Sequence, residues 1–156
     1  MPDKKSRVGS EFNSPKESPG FLLWRVGNEW QRGIRDTLRP FGLTHAQFVL
    51  LAGMVWLEDR GCEVTQTLLA RQTATDKMVV SDVIGSLAAK KLIVRKRGTK
   101  DRRSFELQAT SMGVQMLTKA MKAVEDSNRL FFARSSFPRS KIVEMLSSLS
   151  SLDFRG

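Results

Sequence analysis

Fourteen residues, Lys90 through Arg103, carry eight bases (Lys90, Lys91, Arg95, Lys96, Arg97, Lys100, Arg102 and Arg103) against one acid, Asp101, for a net charge of +7. The 156-residue chain has 26 Lys and Arg, 16 Asp and Glu, and a formal net charge of +10, so this run holds most of the excess. A charge run is commonly a solvated face. This one is bracketed by Leu92, Ile93 and Val94 on one side and by Phe105 and Leu107 on the other, at strand-like spacing. The cations therefore sit on a defined element, and their chemistry is neutralisation of a polyanion such as a nucleic-acid backbone.

Other chemistry is sparsely provided. There is one histidine, His45, one cysteine, Cys62, and no tyrosine. The chain contains neither a G-x-S-x-G elbow, a G-x-x-x-x-G-K-[ST] loop nor an H-E-x-x-H pair, so the reading is not an enzyme. No Cys/His/Asp cluster surrounds His45, and neither a metal nor a cofactor is expected. A lone cysteine excludes an intrachain disulfide framework. Cys62, between Asp59, Arg60 and Glu63, reads as a small inert side chain. The length suits one domain. No window approaches the roughly 20 apolar residues of a membrane span, and no apolar leader opens the chain, so no membrane partner and a cytoplasmic location are expected.

The elements that must hold the basic run follow from local signals. Residues 1–20, with few large apolar side chains and three prolines, read as a disordered arm. Leu23, Val26, Trp30, Ile34 and Leu38 then recur at spacings of three and four, one stripe of an amphipathic helix ended by Pro40 and Gly42. Thr44-His45-Ala46-Gln47 has the form of a capping box opening a second helix, with Phe48, Leu51, Val55 and Trp56 inward. Thr65 can cap a short helix over 66–72 that buries Leu68 and Leu69, and Thr75 a longer one from Asp76 to about Lys90. The connection between these two has helix-turn-helix length.

On the longer helix, Val80, Val83, Ile84 and Leu87 gather on one side, leaving Lys77, Met78, Ser81, Asp82 and Gly85 outward. Residues 92–97 and 102–107 read as two strands joined by a turn over 98–101. Phe105 and Leu107 alternate with polar neighbours, so one face of this hairpin should pack down while its tip carries the bases. Thr110 can cap a long helix with a heptad-like seam of Val114, Leu117, Met121, Val124, Asn128 and Phe131, in which Asn128 would set register and partner number. Beyond Pro138, a second stripe runs through Ile142, Met145, Leu146, Leu149 and Leu152. The terminal helices carry more apolar surface than the central module can cover, which points to a homodimer. Its interface would include Leu23, Val26, Val124, Asn128, Phe131, Ile142, Leu146 and Leu149.

The expected fold is mainly α with a small β-hairpin wing: a winged helix-turn-helix lobe at 44–109 and a helical dimerisation region from 21–40 and 110–152, together a single domain over 21–156. In order and spacing this resembles the MarR family of winged helix-turn-helix transcription regulators. The matching pieces are Leu69-Ala70, Asp76-Lys77-Met78-Val79-Val80-Ser81, the run from Leu87 to Arg95, Asp101 with Arg103, and Thr110-Ser111-Met112-Gly113. Asp82 departs from the pattern, since many members carry a basic or neutral residue there.

The resemblance implies a homodimer that binds double-stranded DNA, commonly as a repressor, and releases it on meeting a small, often aromatic anionic effector or an oxidant. A near-palindromic operator is expected. The helix from Asp76 would enter the major groove, with Lys77, Met78, Ser81 and Asp82 at base edges and Thr73 and Thr75 at phosphates. Arg102 and Arg103 would reach the minor groove or its backbone, Asp101 would orient them, and Arg95, Arg97 and Lys100 would neutralise phosphates. Trp24, Trp30, His45 and Trp56 fall where the family places its ligand pocket. A sequence-neutral nucleic-acid-binding or architectural protein using the same wing is the alternative.

Overall fold

A computed structural model describes residue 7 and residues 9–98 and 105–150. It contains α1 (Pro19–Leu38), α2 (His45–Glu58), α3 (Gln66–Gln72), α4 (Lys77–Ala89), β1 (Ile93–Arg97), β2 (Phe105–Ala109), α5 (Ser111–Phe132) and α6 (Arg139–Leu149). The fold is mainly α with one antiparallel hairpin, as the sequence pattern implies. The first elements begin before Phe21. Pro15–Glu17 forms a 3-10 turn capped by Ser14, and Ser18 caps α1, whose first residue is Pro19. Proline suits that position because the helix has no use for its missing N–H.

Helix α2 is the axis of the core. Its run from Phe48 to Leu57 is almost continuously apolar, so it must be covered on every side. Ile34 and Leu38 of α1, Val80, Ile84 and Leu87 of α4, and Leu117, Ala120 and Val124 of α5 do so, with Leu107 of β2. A bend of 79° separates α2 from α1 and its 3-10 extension. Gly42 makes this corner with φ of +63°, a left-handed conformation that glycine adopts without the Cβ penalty.

The capping box forms as the sequence implies: Thr44 Oγ1 accepts from the Gln47 amide at 3.1 Å, and Gln47 Oε1 accepts from the Thr44 amide at 3.0 Å. Thr65 and Thr110 likewise cap α3 and α5. Thr75 does not cap α4. Its hydroxyl bonds the Thr73 carbonyl within the turn at 3.2 Å, and Asp76 one residue later accepts from the Met78 amide at 2.8 Å.

Gln47 reaches beyond its own helix. Buried to 6% exposure, it donates from Nε2 to Ser86 Oγ of α4 (2.8 Å), while its Oε1 also accepts from Lys90 Nζ (3.0 Å). Lys90 Nζ further donates to the Gly42 carbonyl at 2.6 Å, tying the end of α4 to the α1–α2 corner.

In the wing, Ile93 pairs with Ala109, Arg95 with Leu107, and Arg97 with Phe105. The Leu107 amide donates to the Val64 carbonyl at 2.8 Å, and the Ala109 amide to Glu58 Oε1 at 2.8 Å, so β2 is fastened to the chain around the end of α2. Leu107 is buried, but Phe105 is 59% exposed, because the hairpin runs past the body and leaves its outer half without a surface to pack on.

The base of the wing is clamped to α5. Thr110 donates from its amide to the Leu92 carbonyl (2.9 Å) and from Oγ1 to the Lys91 carbonyl (2.8 Å). At Gly113 any Cβ would stand 2.0 Å from the Leu92 oxygen, so only glycine permits this approach.

The middle of the seam on α5 faces inward, while Val114 at its start is exposed. Leu117 and Val124 are buried against the chain's own core, and Asn128 Oδ1 accepts from Trp30 Nε1 at 2.8 Å. Val124 and Asn128 thus set the register of α5 against α1 within one chain. Among the described residues no single helix is long and apolar enough to cross a membrane.

Replacing Gln47 by Leu keeps the volume but leaves the Thr44 amide without its acceptor and Ser86 Oγ without its donor. A loss of about 1–3 kcal/mol in folding stability is expected, read from urea denaturation. Unchanged stability would show that the network contributes nothing net.

Candidate nucleic-acid interface

The second helix of the helix-turn-helix, α4, presents one face to solvent. Val80, Ile84 and Leu87 are fully buried and Val83 partly so, while Lys77, Met78, Val79, Ser81, Asp82 and Gly85 are exposed. The outward set read from the sequence is found there, joined by Val79, which the helical projection does not single out. Asp82 has no ion pair among the described residues.

In the turn before α4 the threonine hydroxyls bond within the chain. Thr73 Oγ1 donates to the Leu69 carbonyl at 2.8 Å, and Thr75 Oγ1 lies 3.0 Å from it. Both hydroxyls are thus engaged locally, and the Asp76 carboxylate already occupies the Met78 amide. An acid at the N-cap opposes the attraction of the helix end for a phosphate. Through these bonds Thr73 and Thr75 shape the turn.

Beside α4, β1 exposes Val94, Arg95, Lys96 and Arg97. Opposite partners in a pleated ladder share a face, so Arg95 and Arg97 stand with Leu107 and Phe105, and Lys96 stands with Glu106 on the other face. Lys90 is held by Gly42 and Gln47 and is not a free cation of this surface. Lys100, Asp101, Arg102 and Arg103 lie outside the described residues.

The four residues named for an effector do not converge. Trp30 and His45 meet edge to face, with ring centroids 5.1 Å apart, and Trp30 also bonds Asn128. Trp24 is 72% exposed near the start of α1. Trp56 lies eleven residues past His45 on α2, roughly 16 Å along the axis, under the Arg60 guanidinium at 3.6 Å. Burial, and secondarily the charge of Arg35, holds the His45 imidazole below its ordinary value of 6.5.

A cavity of about 430 Å³ lies elsewhere, lined by Glu58, Gly61, Cys62, Glu63, Glu106, Leu107 and Gln108. Burial pushes the Glu58 carboxyl up; the Ala109 amide opposes this, and the charges of Asp59 and Glu106 add to it. Three carboxylates make the cavity a poor host for an anion. No local spacing announces it, because α2, the following loop and β2 each supply part of the lining. Among the described residues no group of His, Cys, Asp and Glu is placed to hold a metal ion.

A helix-turn-helix with an exposed second helix, flanked by a basic hairpin, defines a winged helix-turn-helix protein. Comparison with known proteins narrows this class. The chain is 40% identical over 124 residues to an HTH-type transcriptional regulator of Bacillus subtilis (strain 168), YdcH, covering 80% of this chain and 84% of that one. A MarR family transcriptional regulator of Rhodococcus sp. RHA1 shares the fold at a TM-score of 0.76 and 23% identity, over 94% of this chain and 99% of that one. The transcriptional repressor CouR, in its complex with a 23-mer DNA duplex, gives a TM-score of 0.76 at 26% identity, over 90% of this chain and 99% of that one. CouR, from Rhodococcus jostii RHA1, has also been crystallised with p-coumaroyl-CoA. No family model matches the chain. The chain belongs to the MarR family of transcription regulators, proteins that are not enzymes.

His45 carries a pH dependence whose sign follows from its lowered value. The unfolded chain binds the imidazole proton more readily than the folded one, so stability present above about pH 6.5 is lost as the pH falls below it. Urea midpoints measured from pH 7.5 to 5.5 should fall less in His45→Gln than in the parent. Identical falls would remove His45 as the cause.

Proposed function

We propose that this chain is a sequence-specific, double-stranded DNA-binding repressor that acts as a homodimer on a near-palindromic operator. The observation that carries the reading is the juxtaposition of an exposed α4 face with the exposed Arg95 and Arg97 of β1, on elements locked together by Gln47, Lys90 and the close approach of Gly113 to Leu92. A major groove admits an α-helix, and phosphates beside it meet the basic strand. CouR, similar in fold and 26% identical, is a repressor bound to a duplex.

The lobe at 44–109 is assigned to DNA, and residues 21–40 and 110–152 to dimerisation. Leu22, Leu23, Trp24 and Val26 of α1 are exposed, and α6 buries none of its residues although Leu146 and Leu149 are apolar. A second copy would cover these surfaces, and Phe131 and Ile142, both half-buried, lie at their margin. An effector fits best where Trp30, His45 and Asn128 join α1, α2 and α5, because an aromatic or anionic molecule there would act on the junction between the helical region and the lobe. Arg102 and Arg103, with Asp101 orienting them, and Lys100 would extend the basic surface.

Genomic fragments captured by the purified full chain should share a near-palindrome with half-sites about 10 base pairs apart, and the protein should sediment as a dimer. Fragments without a common motif would favour the sequence-neutral reading. Replacing Arg95 and Arg97 together by Ala should flatten the slope of log affinity against log salt by about 0.9 for each phosphate that the two arginines neutralise. An unchanged slope would take β1 out of the interface.

A further inference from the structure

On α4 the buried residues Val80, Val83, Ile84 and Leu87 define an inward direction. At 100° per residue, Met78 lies within about 10° of the opposite direction, and Asp82 and Gly85 within about 30° of it. Met78 is 78% exposed, more than any other large apolar side chain described. One turn along, Asp82 is exposed. Gly85 has no side chain, and nothing stands within 4 Å of where a Cβ would be. The outermost ridge of the helix is therefore a flexible thioether, a carboxylate and a gap, with no cation on it.

We propose that Met78 reads the C5-methyl group of a thymine in the major groove, with Asp82 accepting from an exocyclic amino group no more than about two base pairs away. The assignment rests on the DNA-binding reading above and goes further, by naming what α4 recognises. Among major-groove edges the thymine methyl is the one apolar group, so it is the partner that an outward Met at the apex can desolvate. Asp82 can only accept, which pairs it with the cytosine or adenine amino group and sets it against the two acceptors of guanine. Four residues of helix rise about 6 Å, and base pairs stack every 3.4 Å or so, which gives the spacing. Gly85 lets the helix backbone approach the groove beyond Asp82. The cations that hold the phosphates, Arg95 and Arg97, stand on β1 and off this ridge.

The test replaces each thymine of the captured operator in turn by deoxyuridine, which deletes the methyl and keeps the base pair. At one position in each half-site the parent protein should lose about four-fold in affinity, the worth of one buried methyl. Met78→Ala, altered at an exposed position, should bind the thymine and uracil duplexes equally, and Met78→Leu should keep the discrimination. Tight binding by the parent with no uracil effect anywhere, or the same effect in Met78→Ala, would overturn the assignment while leaving DNA binding intact. Failure to bind any duplex at low salt would overturn the DNA-binding reading and this assignment with it.

Discussion

The arrangement of α4 depends on one buried amide. Gln47 receives the Thr44 amide and the Lys90 ammonium on its oxygen and gives a proton to Ser86, whose hydroxyl in turn donates to the Val83 carbonyl. Unpaired, such a group costs several kcal/mol on burial; fully paired, it admits very few geometries. Apolar packing alone would hold α4 against α2 with some freedom to slide or rotate, because Val, Ile and Leu side chains are tolerant of small shifts. The amide removes that freedom. It fixes the exact rotation and height of α4 about the face that its apolar stripe already turns inward.

A second constraint links the lobe to the helices around it. Helix α5 is held near its start by the Gly113–Leu92 approach and near its end by the Trp30–Asn128 bond. These points are fifteen residues apart, roughly 22 Å along one helix. Near the far point Arg134 also reaches Glu29, whose carboxyl is held low by its bonds to Arg25 and Arg134. Such exposed pairs contribute little to stability, but they mark where α1 and α5 travel together. Helix α5 therefore connects the Trp30–Asn128 bond to the Leu92 carbonyl, one residue before the basic strand.

Much of this was legible in the sequence, and the reasons are local. The caps Thr44, Thr65 and Thr110 act over three residues, and the inward face of α4 follows from helical period alone. What the sequence hid is long-range or depends on competition between neighbours. Trp30 and Asn128 are 98 residues apart, and from spacing alone the stripe on α5 serves a partner chain or the chain's own α1 equally well. Thr75 and Asp76 are both good caps; the choice falls on Asp76 because the Thr75 hydroxyl is engaged with Thr73. Phe105 obeys strand alternation, yet alternation says only which face a residue takes, and this face continues past the edge of the core.

The basic run shows the same limit in electrostatic form. Counted along the chain it is a single block of charge, but the fold distributes it to different tasks. Lys90 closes the α1–α2 corner. Lys96 stands opposite Glu106 and acts on the field at Glu58, on the side of the acidic cavity. Arg95 and Arg97 remain on the other face of the hairpin. A strand's period of two therefore divides one run of cations between two faces, Lys96 beside a carboxylate and Arg95 and Arg97 on the face that runs from the buried Leu107 out to the exposed Phe105. If β1 meets a duplex as proposed, its exposed cations, and not the net charge of the run, set how many phosphates it can neutralise.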